Sequence, residues 1–411
     1  MGTPADDVTG STDVTGSTGA PASSRLLRVG MVCPYSLSVP GGVQAQVMGL
    51  SRELRRMGIE VRVLAPCDGP PPASFVTPLG NSLPHAVNGS IAPLAPDPSC
   101  QLRTIRALTE EEFDVLHLHE PFIPGPTQTA TLLHTAPIIA TFHSAGESSA
   151  YKYLRRPVLA ASHRLAHRVA VSKDAEELVK RYIGGEYEIL FNGVELDAYA
   201  TTAAHPSGGP TIFFLGRHEE RKGLDVLLAA MRQLPDEVRL WLAGTGPDTP
   251  RLQAEYAHDT RIEWLGRVTD ADKIARLKGA TVFCAPSLHG ESFGVVLVEA
   301  MAADTAIVAS GLDGYRNVAT NDVDSVLVDP GDVDALAAAL KRTLYDAELR
   351  ARLVAAGGSR ADEFSMRRLA VHYAAHYHRI AADRDERRRM LADSRERRRV
   401  SRMLARVLGP R

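Results

Sequence analysis

The chain has 411 residues, of which 44% are apolar and 23% charged, and its formal net charge is −2 at pH 7. This length predicts two domains of about 180 residues with substantial cores, and the balanced charge argues against a nucleic-acid partner. No apolar run approaches the roughly 18 residues that span a bilayer, and the first residues lack a signal-peptide pattern. We therefore expect a cytoplasmic protein.

The cysteines are scattered along the chain and lack the spacing of metal ligands or of a redox pair; they are Cys33, Cys67, Cys100 and Cys284. This pattern favours a reducing compartment and predicts neither a structural metal nor a bound cofactor. No pattern in the sequence indicates an oligomeric state.

Residues 1–24 are mostly Gly, Ser, Thr, Asp and Pro, which predicts disorder. Residues 25–197 alternate apolar runs of strand length with helical patterns, which predicts a Rossmann-like domain with a parallel sheet covered on both faces. The segment 66–100, rich in Pro and Ser, predicts a long irregular excursion within it.

The first strand–helix unit contains a glycine pair at the helix start, in Pro40-Gly41-Gly42-Val43. Such glycines serve either a tight turn or a ligand that approaches the backbone. Gly42 is therefore a candidate binding residue.

Histidines occupy the ends of two predicted strands in this half. His143 ends a strand at 137–143, and open α/β sheets bind ligands at the carboxyl ends of their strands. It is a candidate catalytic residue, with a structural role as the alternative. His117 and His119 share one face of the strand at 114–119, a spacing that seldom forms a metal site by itself.

Residues 198–210 predict a linker, and residues 211–365 a second Rossmann-like domain. Its first strand leads into the loop Gly-Arg-His-Glu-Glu-Arg-Lys-Gly at 216–223. Arg217 and Lys222 flank this loop, where two cations can clamp a diphosphate. The alternative is a surface ion-pair cluster with the neighbouring glutamates.

The most informative stretch is 290–299, Gly-Glu-Ser-Phe-Gly-Val-Val-Leu-Val-Glu. It leads into a helix, with Ser292 as the predicted N-cap and Gly294 leaving backbone amides open to a phosphate. On one helix Glu291 and Glu299 would lie about 12 Å apart along the axis. Carboxylates at that separation, with amides between them, predict a nucleotide-sugar site; the alternative is a solvated helix with two incidental acids.

Helices at 332–344 and 347–356 close the second domain, and 366–384 predicts a last closing helix. The segment 385–411 predicts a basic amphipathic tail, since 12 Arg stand against 5 acidic residues from Arg379 onward. Such a helix can bind an anionic membrane surface. The alternative is a solvated helix or a flexible tail.

Earlier in the second domain, Asp-Ala-Asp at 270–272 resembles a metal-binding motif, but at a helix start it predicts a cap.

Over residues 26–380 the sequence resembles the retaining GT-B glycosyltransferases, a family that includes glycogen synthases and mannosyltransferases. The most specific element is the Glu-x7-Glu pattern at Glu291 and Glu299, supported by the loop at 216–223. The resemblance implies an α/β fold of two Rossmann-like domains that face each other across a cleft. The branch that acts on phosphatidylinositol has similar motifs, which here read Val-Cys-Pro-Tyr-Ser at 32–36, Pro-Gly-Gly-Val-Gln at 40–44, Asn-Gly-Ser at 88–90, His-Glu-Pro at 119–121, Thr-Phe-His at 141–143 and Gly-Glu-Ser-Phe-Gly at 290–294.

This resemblance implies GDP-mannose as the donor and an inositol lipid as the acceptor, at the inner face of the plasma membrane. The nucleotide-sugar would contact residues from both domains: Gly42, Arg217 and Lys222 at the diphosphate, Glu291 at the sugar, Glu299 at the ribose, and Val268 and Lys273 near the base, with Ser292, Phe293 and Gly294 as further donor-binding residues. His143 would lie beside the anomeric carbon. The acceptor would contact Tyr35, Gln44, Asn88 and Ser144.

The implied mechanism follows from charge. Cleavage of the sugar–phosphate bond leaves a negative diphosphate and an oxocarbenium-like sugar, and cations with helix-start amides would stabilise the leaving group. No metal is then required. No carboxylate suggests itself as a covalent nucleophile, so the acceptor would attack from the face that the phosphate leaves.

The acceptor motifs depart from the family at three places. The family has Asp where this chain has Ser38 and Lys where it has Ser148, and its basic lipid-binding helix is reduced here to Arg103 and Arg106. Three alternatives therefore stay open: the same chemistry on a glycan, another lipid or a small polyol; a nucleotide-sugar epimerase on the same scaffold; and a catalytically idle nucleotide-sugar-binding protein.

Overall fold

A computed structural model describes residues 25–87, 90–143 and 155–386. The predictions for residues 1–24, Asn88, Ser144 and the tail beyond 386 lie outside these ranges, as does Ser148. Within them, the chain forms two parallel sheets and one antiparallel hairpin. No helix in the described ranges combines the length and the apolarity that a membrane crossing requires.

The first sheet has the strand order β3-β2-β1-β6-β7-β8-β9, and every neighbouring pair is parallel. Its strands are β1 (Arg28–Val32), β2 (Glu60–Ala65), β3 (Val76–Pro78), β6 (Val115–His119), β7 (Ile138–Phe142), β8 (Leu165–Ala170) and β9 (Glu188–Ile189). The helices of this half are Gly42–Arg56, Pro98–Glu110, Pro126–Leu133, Arg155–Ser162 and Lys173–Ile183. β6 and β7 are buried along their whole length, because helices cover both faces of the sheet.

The segment 66–100 is more regular than its composition predicts. It contains β3 and an antiparallel hairpin of β4 (Leu83–Val87) and β5 (Ser90–Leu94). Pro84 lies opposite Pro93 in that hairpin. The prediction of an irregular excursion was therefore wrong, since a two-stranded ribbon has free edges that tolerate proline.

The second sheet has the order β12-β11-β10-β13-β14-β15 and is also parallel throughout. Its strands are β10 (Thr211–Leu215), β11 (Arg239–Ala243), β12 (Ile262–Gly266), β13 (Val282–Ala285), β14 (Ala306–Ser310) and β15 (Val326–Val328). The helices of this half are Asp197–Thr201, Leu224–Met231, Thr249–Glu255, Asp270–Gly279, Val295–Ala302, Asp313–Arg316, Val333–Tyr345 and Ala347–Glu363, with a 3₁₀ turn at Glu220–Lys222. The short helix at Asp197–Thr201 overlaps the start of the segment predicted as a linker.

Two helix boundaries differ from the sequence prediction. The helix expected to end at 356 continues to Glu363, because Gly357 packs closely on a neighbouring helix: a Cβ there would lie 3.2 Å from Met301 Cγ. At 270–272, the cap is the preceding Thr269, whose hydroxyl accepts from the Asp272 amide at 3.1 Å. Asp270 and Asp272 lie in the first turn, where their charge favours the helix dipole.

The last described helix, residues 366–386, packs against the first domain. Its buried side chains share a core with β1, β2 and the helix Gly42–Arg56; they are Met366, Ala370, Tyr373, Ala374, Tyr377 and Ile380. Arg384 Nη1 donates to the carbonyl of Phe113 at 3.0 Å. The C-terminal part of the chain therefore completes the core of the N-terminal domain.

Candidate active site

The loop 216–223 of the second domain is fixed by contact with the end of β13. Gly223 has a φ of +66°, and a Cβ on it would lie 1.9 Å from the carbonyl oxygen of Pro286. Only glycine allows so close an approach. The loop after β10 and the loop after β13 therefore meet at the carboxyl edge of the sheet, where such sheets bind ligands.

Three cations and Glu291 come together at this edge. Lys222 Nζ lies 2.5 Å and Arg221 Nη1 3.4 Å from Glu291 Oε1, and Ser287 Oγ donates to the same oxygen at 3.1 Å. Arg217 Nε lies 3.2 Å from Glu219, and its side chain is 48% exposed. Lys222, predicted to bind the diphosphate, and Glu291, predicted to bind the sugar, are thus adjacent. Arg221, which also pairs with Glu219 at 2.7 Å, was not singled out by the sequence.

The helix Val295–Ala302 begins at Gly294, with the backbone of that residue in the left-handed region at φ +86°. The prediction that Ser292 is the N-cap was wrong, because the turn into the helix needs a conformation that glycine adopts readily. Ser292 instead accepts from Asn317 Nδ2 through its carbonyl at 3.2 Å. Since Glu291 precedes the helix, the spacing of about 12 Å expected for two acids on one helix does not apply.

Replacing Gly294 by Ala is expected to lower the free energy of unfolding by about 1–3 kcal/mol. The new Cβ would lie 2.7 Å from Tyr315 Cδ1 in a backbone conformation that disfavours it. Gly42→Ala is the matched control, since a Cβ on Gly42 meets nothing within 4 Å. Urea unfolding measures both; equal stability of the two variants would contradict the strain at Gly294.

Glu299 and Lys273, both predicted to contact the nucleoside, form an ion pair in the second domain. Lys273 Nζ lies 2.7 Å from Glu299 Oε1 and 3.2 Å from Asp270. Burial acts to lower the pKa of Lys273, but the two carboxylates outweigh it and the net pKa is raised. Val268 is half-buried against a hydrophobic core of the second domain. Lys273 and Glu299 form a charged patch, in which Glu299 comes from the helix Val295–Ala302.

In the first domain, His143 is held by the last residue of β6, His119, and by the residue that follows it, Glu120. Its Nε2 lies 2.8 Å from His119 Nδ1, and its backbone N–H donates to Glu120 Oε1 at 2.6 Å. Glu120 has a φ of +53°, a strained value for this residue type. This conformation lets its carboxylate bond the His143 backbone. The sequence contained the His-Glu-Pro motif but gave no sign of this contact.

The proton positions in the His119–His143 pair follow from burial. His119 Nε2 is buried and has no hydrogen-bond partner within the described residues. A buried N–H without an acceptor is rarer than an unpaired acceptor, so the His119 proton is assigned to Nδ1, which donates to His143. His143 then carries its proton on Nδ1. Burial lowers the pKa of His143 to about 3, so the ring is neutral.

His117 takes no part in the candidate site. Its Nδ1 lies 2.6 Å from the Tyr377 hydroxyl and its Nε2 2.7 Å from Thr141 Oγ1. Both ring nitrogens are therefore engaged, which leaves none to ligate a metal with His119. This network instead connects β6 and β7 to the helix 366–386.

Gly42 is the first residue of the helix Gly42–Arg56 and has open space at its Cβ position. Gln44, a predicted acceptor ligand, donates through Nε2 to the carbonyls of Ser36 and Val39 at 3.3 and 3.1 Å. It therefore holds the preceding loop in place. Tyr35 is half-buried and forms an isolated bridge to Leu94 at the base of the hairpin.

Asp68 is a carboxylate of this region that the sequence did not indicate. Its side chain accepts from Ser36 Oγ at 2.6 Å and from Ser82 Oγ at 2.8 Å, while its backbone N–H donates to Ser38 Oγ at 2.9 Å. It thus joins the loop before Gly42 to the start of the hairpin. Asp68, from another loop, therefore bonds Ser38 through its backbone and Ser36 through its carboxylate.

The two domains contact each other through the connecting segment. Phe191 stacks on Phe293 with ring centroids 5.2 Å apart, so the buried Phe293 side chain anchors its loop. Gln46 exchanges two hydrogen bonds with the backbone of Gly193, at 2.7 and 2.9 Å. These contacts attach the helix Gly42–Arg56 and the loop that contains Phe293 to residues 191–193, which lead from the first domain into the second.

Comparison with known proteins covers both halves. Residues 40–198 match the family described as Glycosyltransferase Family 4, and residues 199–360 match Glycosyl transferases group 1. The chain is 41% identical over 342 residues to the phosphatidyl-myo-inositol mannosyltransferase of Mycobacterium leprae, a match that covers 80% of this chain and 91% of that protein.

Solved structures agree in fold. Sucrose-phosphate synthase from Thermosynechococcus elongatus superimposes with a TM-score of 0.68 at 20% identity, covering 87% of this chain and all of that one. HepE from Anabaena, in complex with UDP and glucose, gives a TM-score of 0.63 at 17% identity, covering 85% and 98%. The two facing sheets, the loops at their carboxyl edges and the extended identity together show that this chain belongs to the GT-B glycosyltransferases of group 1, in the family of the phosphatidyl-myo-inositol mannosyltransferases.

Proposed function

We propose that this protein transfers mannose from GDP-mannose to the inositol ring of phosphatidylinositol, with retention of the anomeric configuration. The observation that carries the proposal is the pairing of Lys222 and Arg221 with Glu291, before the start of the helix Val295–Ala302, with Arg217 on the same loop as the two cations. The 41% identity to a mannosyltransferase of this name supports the sugar and the acceptor. The UDP complex of HepE supports a nucleotide-linked donor.

The donor chemistry rests on charge neutralisation. Glu291 Oε1 lies 2.5 Å from Lys222 Nζ. A bound diphosphate takes over Lys222 and Arg217, and Glu291 is released to accept hydrogen bonds from sugar hydroxyls. As the sugar–phosphate bond breaks, the cations and the free amides at Gly294 stabilise the negative charge on the leaving phosphate. This stabilisation comes from protein groups, so the reaction does not depend on a metal.

The acceptor step follows from the same geometry. The inositol hydroxyl attacks the anomeric carbon on the face from which the phosphate departs, and its proton passes to that phosphate. His143, neutral and protonated on Nδ1, donates a hydrogen bond to the sugar rather than removing a proton. Glu299 and Lys273 bind the nucleoside at the far end of the donor.

A lipid acceptor requires the reaction to take place at a membrane surface. The protein would then bind the cytoplasmic side of the membrane as a peripheral protein. The helix Pro98–Glu110 supports this, because Leu102 and Ile105 are 67% and 38% exposed beside Arg103 and Arg106. An apolar stripe flanked by arginines favours an anionic lipid interface. Arg106, however, also pairs with Glu110 at 2.8 Å, so few cations are free here.

Removal of residues 387–411 is expected to reduce binding to phosphatidylinositol vesicles by at least tenfold, because the arginine-rich tail supplies the charge that the first domain lacks. The cut spares Arg384, which bonds the Phe113 carbonyl. Vesicle co-sedimentation at about 50 and about 300 mM salt, where exposed charges are weakly and strongly screened, measures the change. Unchanged binding at low salt would rule out the tail as a membrane anchor.

The direct experiment supplies the purified protein with radiolabelled GDP-mannose and phosphatidylinositol vesicles. We expect a labelled lipid and GDP release that requires the lipid, with an α-linked mannose by NMR. UDP-glucose and ADP-glucose serve as donor controls. GDP release without acceptor, or epimerised sugar nucleotide, would indicate one of the other activities on this scaffold.

One observation favours a second candidate, the same transfer to a small polyol that carries no phosphate. Ser38 and Ser148 stand where the family has Asp and Lys, and the loop around Ser38 is organised by Asp68 instead. The same assay with free inositol in place of vesicles distinguishes the two acceptors.

A further inference from the structure

Three potential metal ligands meet at the outer edge of the first sheet, away from the donor loops. His167 lies on β8, Glu188 on β9 and His376 on the helix 366–386. Glu188 Oε2 is 2.7 Å from His167 Nε2 and 2.9 Å from His376 Nε2. One ligand atom from each residue lies within 4.8 Å of the other two, and among the described residues this is the group with that property.

The elements that carry these side chains are fixed independently of them. β8 and β9 are paired strands of the sheet, and the helix is anchored by Tyr373 and Tyr377 in the core of the first domain. The imidazoles stack with centroids 4.2 Å apart. The three side chains are 21%, 35% and 16% exposed, so the cluster is rigid but open to solvent.

We propose that His167, Glu188 and His376 form a binding site for a divalent transition-metal ion of the Zn²⁺ type. Two imidazole nitrogens and one carboxylate oxygen are ligands that Zn²⁺ prefers, and three protein ligands leave a fourth position for water. Tetrahedral bonds of about 2.0–2.1 Å separate ligand atoms by about 3.4 Å. The present separations of 2.7 and 2.9 Å need to open by only part of an ångström.

The position of the proton on His376 is the main obstacle to metal binding at this site. An imidazole that binds through Nε2 must carry its proton on Nδ1, but His376 Nδ1 now accepts from Arg379 Nη2 at 3.0 Å. Arg379 must therefore swing away, which its exposed position allows. Its positive charge also opposes a second cation. The arginine thus weakens the site, and its removal provides a test in the opposite direction from removal of a ligand.

A metal bound here would join the edge of the N-terminal sheet to the helix that returns from the second domain. It would therefore act on the docking of that helix, separately from the transfer reaction. A hard cation such as Mg²⁺ prefers oxygen ligands and should not replace Zn²⁺. The proposal does not depend on which sugar or acceptor the enzyme uses.

The test is calorimetric titration of the chelator-treated full-length protein, prepared without a histidine tag, with ZnCl₂ and with MgCl₂. We expect one equivalent of Zn²⁺, no binding of Mg²⁺, and a rise in melting temperature with Zn²⁺ alone. His167→Ala and His376→Ala are each expected to weaken binding at least tenfold. Arg379→Gln is expected to tighten it several-fold.

Two further variants keep the test decisive. His376→Gln retains a donor to Glu188 and so preserves the local fold while it removes a strong ligand; it too should lose the site. His85→Ala removes a half-buried histidine of the hairpin β4–β5 and should leave Zn²⁺ binding unchanged. Absence of a one-equivalent site, or binding that the His167 and His376 variants leave intact, would overturn the proposal.

Discussion

Replacement of Lys222 by Met is expected to lower kcat for mannosyl transfer by about 10²–10³-fold, the effect of removing one preorganised charge from a leaving group. The Lys222 ammonium lies 2.5 Å from Glu291 Oε1. Lys222 belongs to the 3₁₀ turn that precedes Gly223, and Gly223 packs closely on the residue after β13. Steady-state kinetics with GDP-mannose and lipid vesicles measures it. The loss should fall mainly on kcat, since the charge to be stabilised develops in the transition state.

The fold should survive this substitution, because Glu291 keeps Ser287 at 3.1 Å and Arg221 at 3.4 Å as partners. Arg251→Gln is the matched control: it removes a cation from the same domain, where Arg251 pairs with Asp225 on the exposed surface. We expect full activity for the control. If the two variants lost activity equally, or if Lys222→Met raised only the KM for the acceptor, the diphosphate role of Lys222 would be refuted.

Replacement of His143 by Ala is expected to lower kcat/KM by about 10²-fold through loss of one hydrogen-bond donor at the sugar. Because burial lowers the pKa of His143 to about 3, the ring stays neutral as the pH falls from 8 to 5. The wild-type rate should therefore show no acid limb near pH 6.5 that disappears in the variant. Such a limb would identify His143 as a base.

His119 provides the companion test, since its Nδ1–H fixes the proton of His143. His119→Leu should reproduce most of the loss seen for His143→Ala. His119→Asn should retain much of the activity, because an Asn amide can donate from nearly the same position. Circular dichroism melts check that both variants fold, as His119 is buried.

Much of this site could be predicted from the sequence because its parts are local. A strand, a glycine and a helix start within ten residues predicted the helix that begins after Gly294, and the strand before the loop 216–223 predicted that the cations of this loop lie at the carboxyl edge of the sheet. The exact cap was missed, because the preference of Ser292 for N-caps does not reveal a left-handed glycine two residues later.

The parts that escaped prediction depend on contacts distant in sequence. Arg221 and Lys222 meet Glu291 across roughly 70 residues, and Asp68 meets Ser36 across 32. Glu120 bonds the backbone of His143 only because its own backbone is strained. Pairing between segments, rather than composition within them, determines such contacts, so periodicity and spacing cannot show them.

The return of the helix 366–386 to the first domain has a consequence for biosynthesis. Met366, Tyr373 and Tyr377 fill a core whose other members come from β1, β2 and the helix Gly42–Arg56. The first domain to leave the ribosome therefore lacks part of its interior until almost the whole polypeptide has been made. During that interval its apolar surface is open to chaperones, and expression of residues 25–197 alone should give an aggregation-prone product.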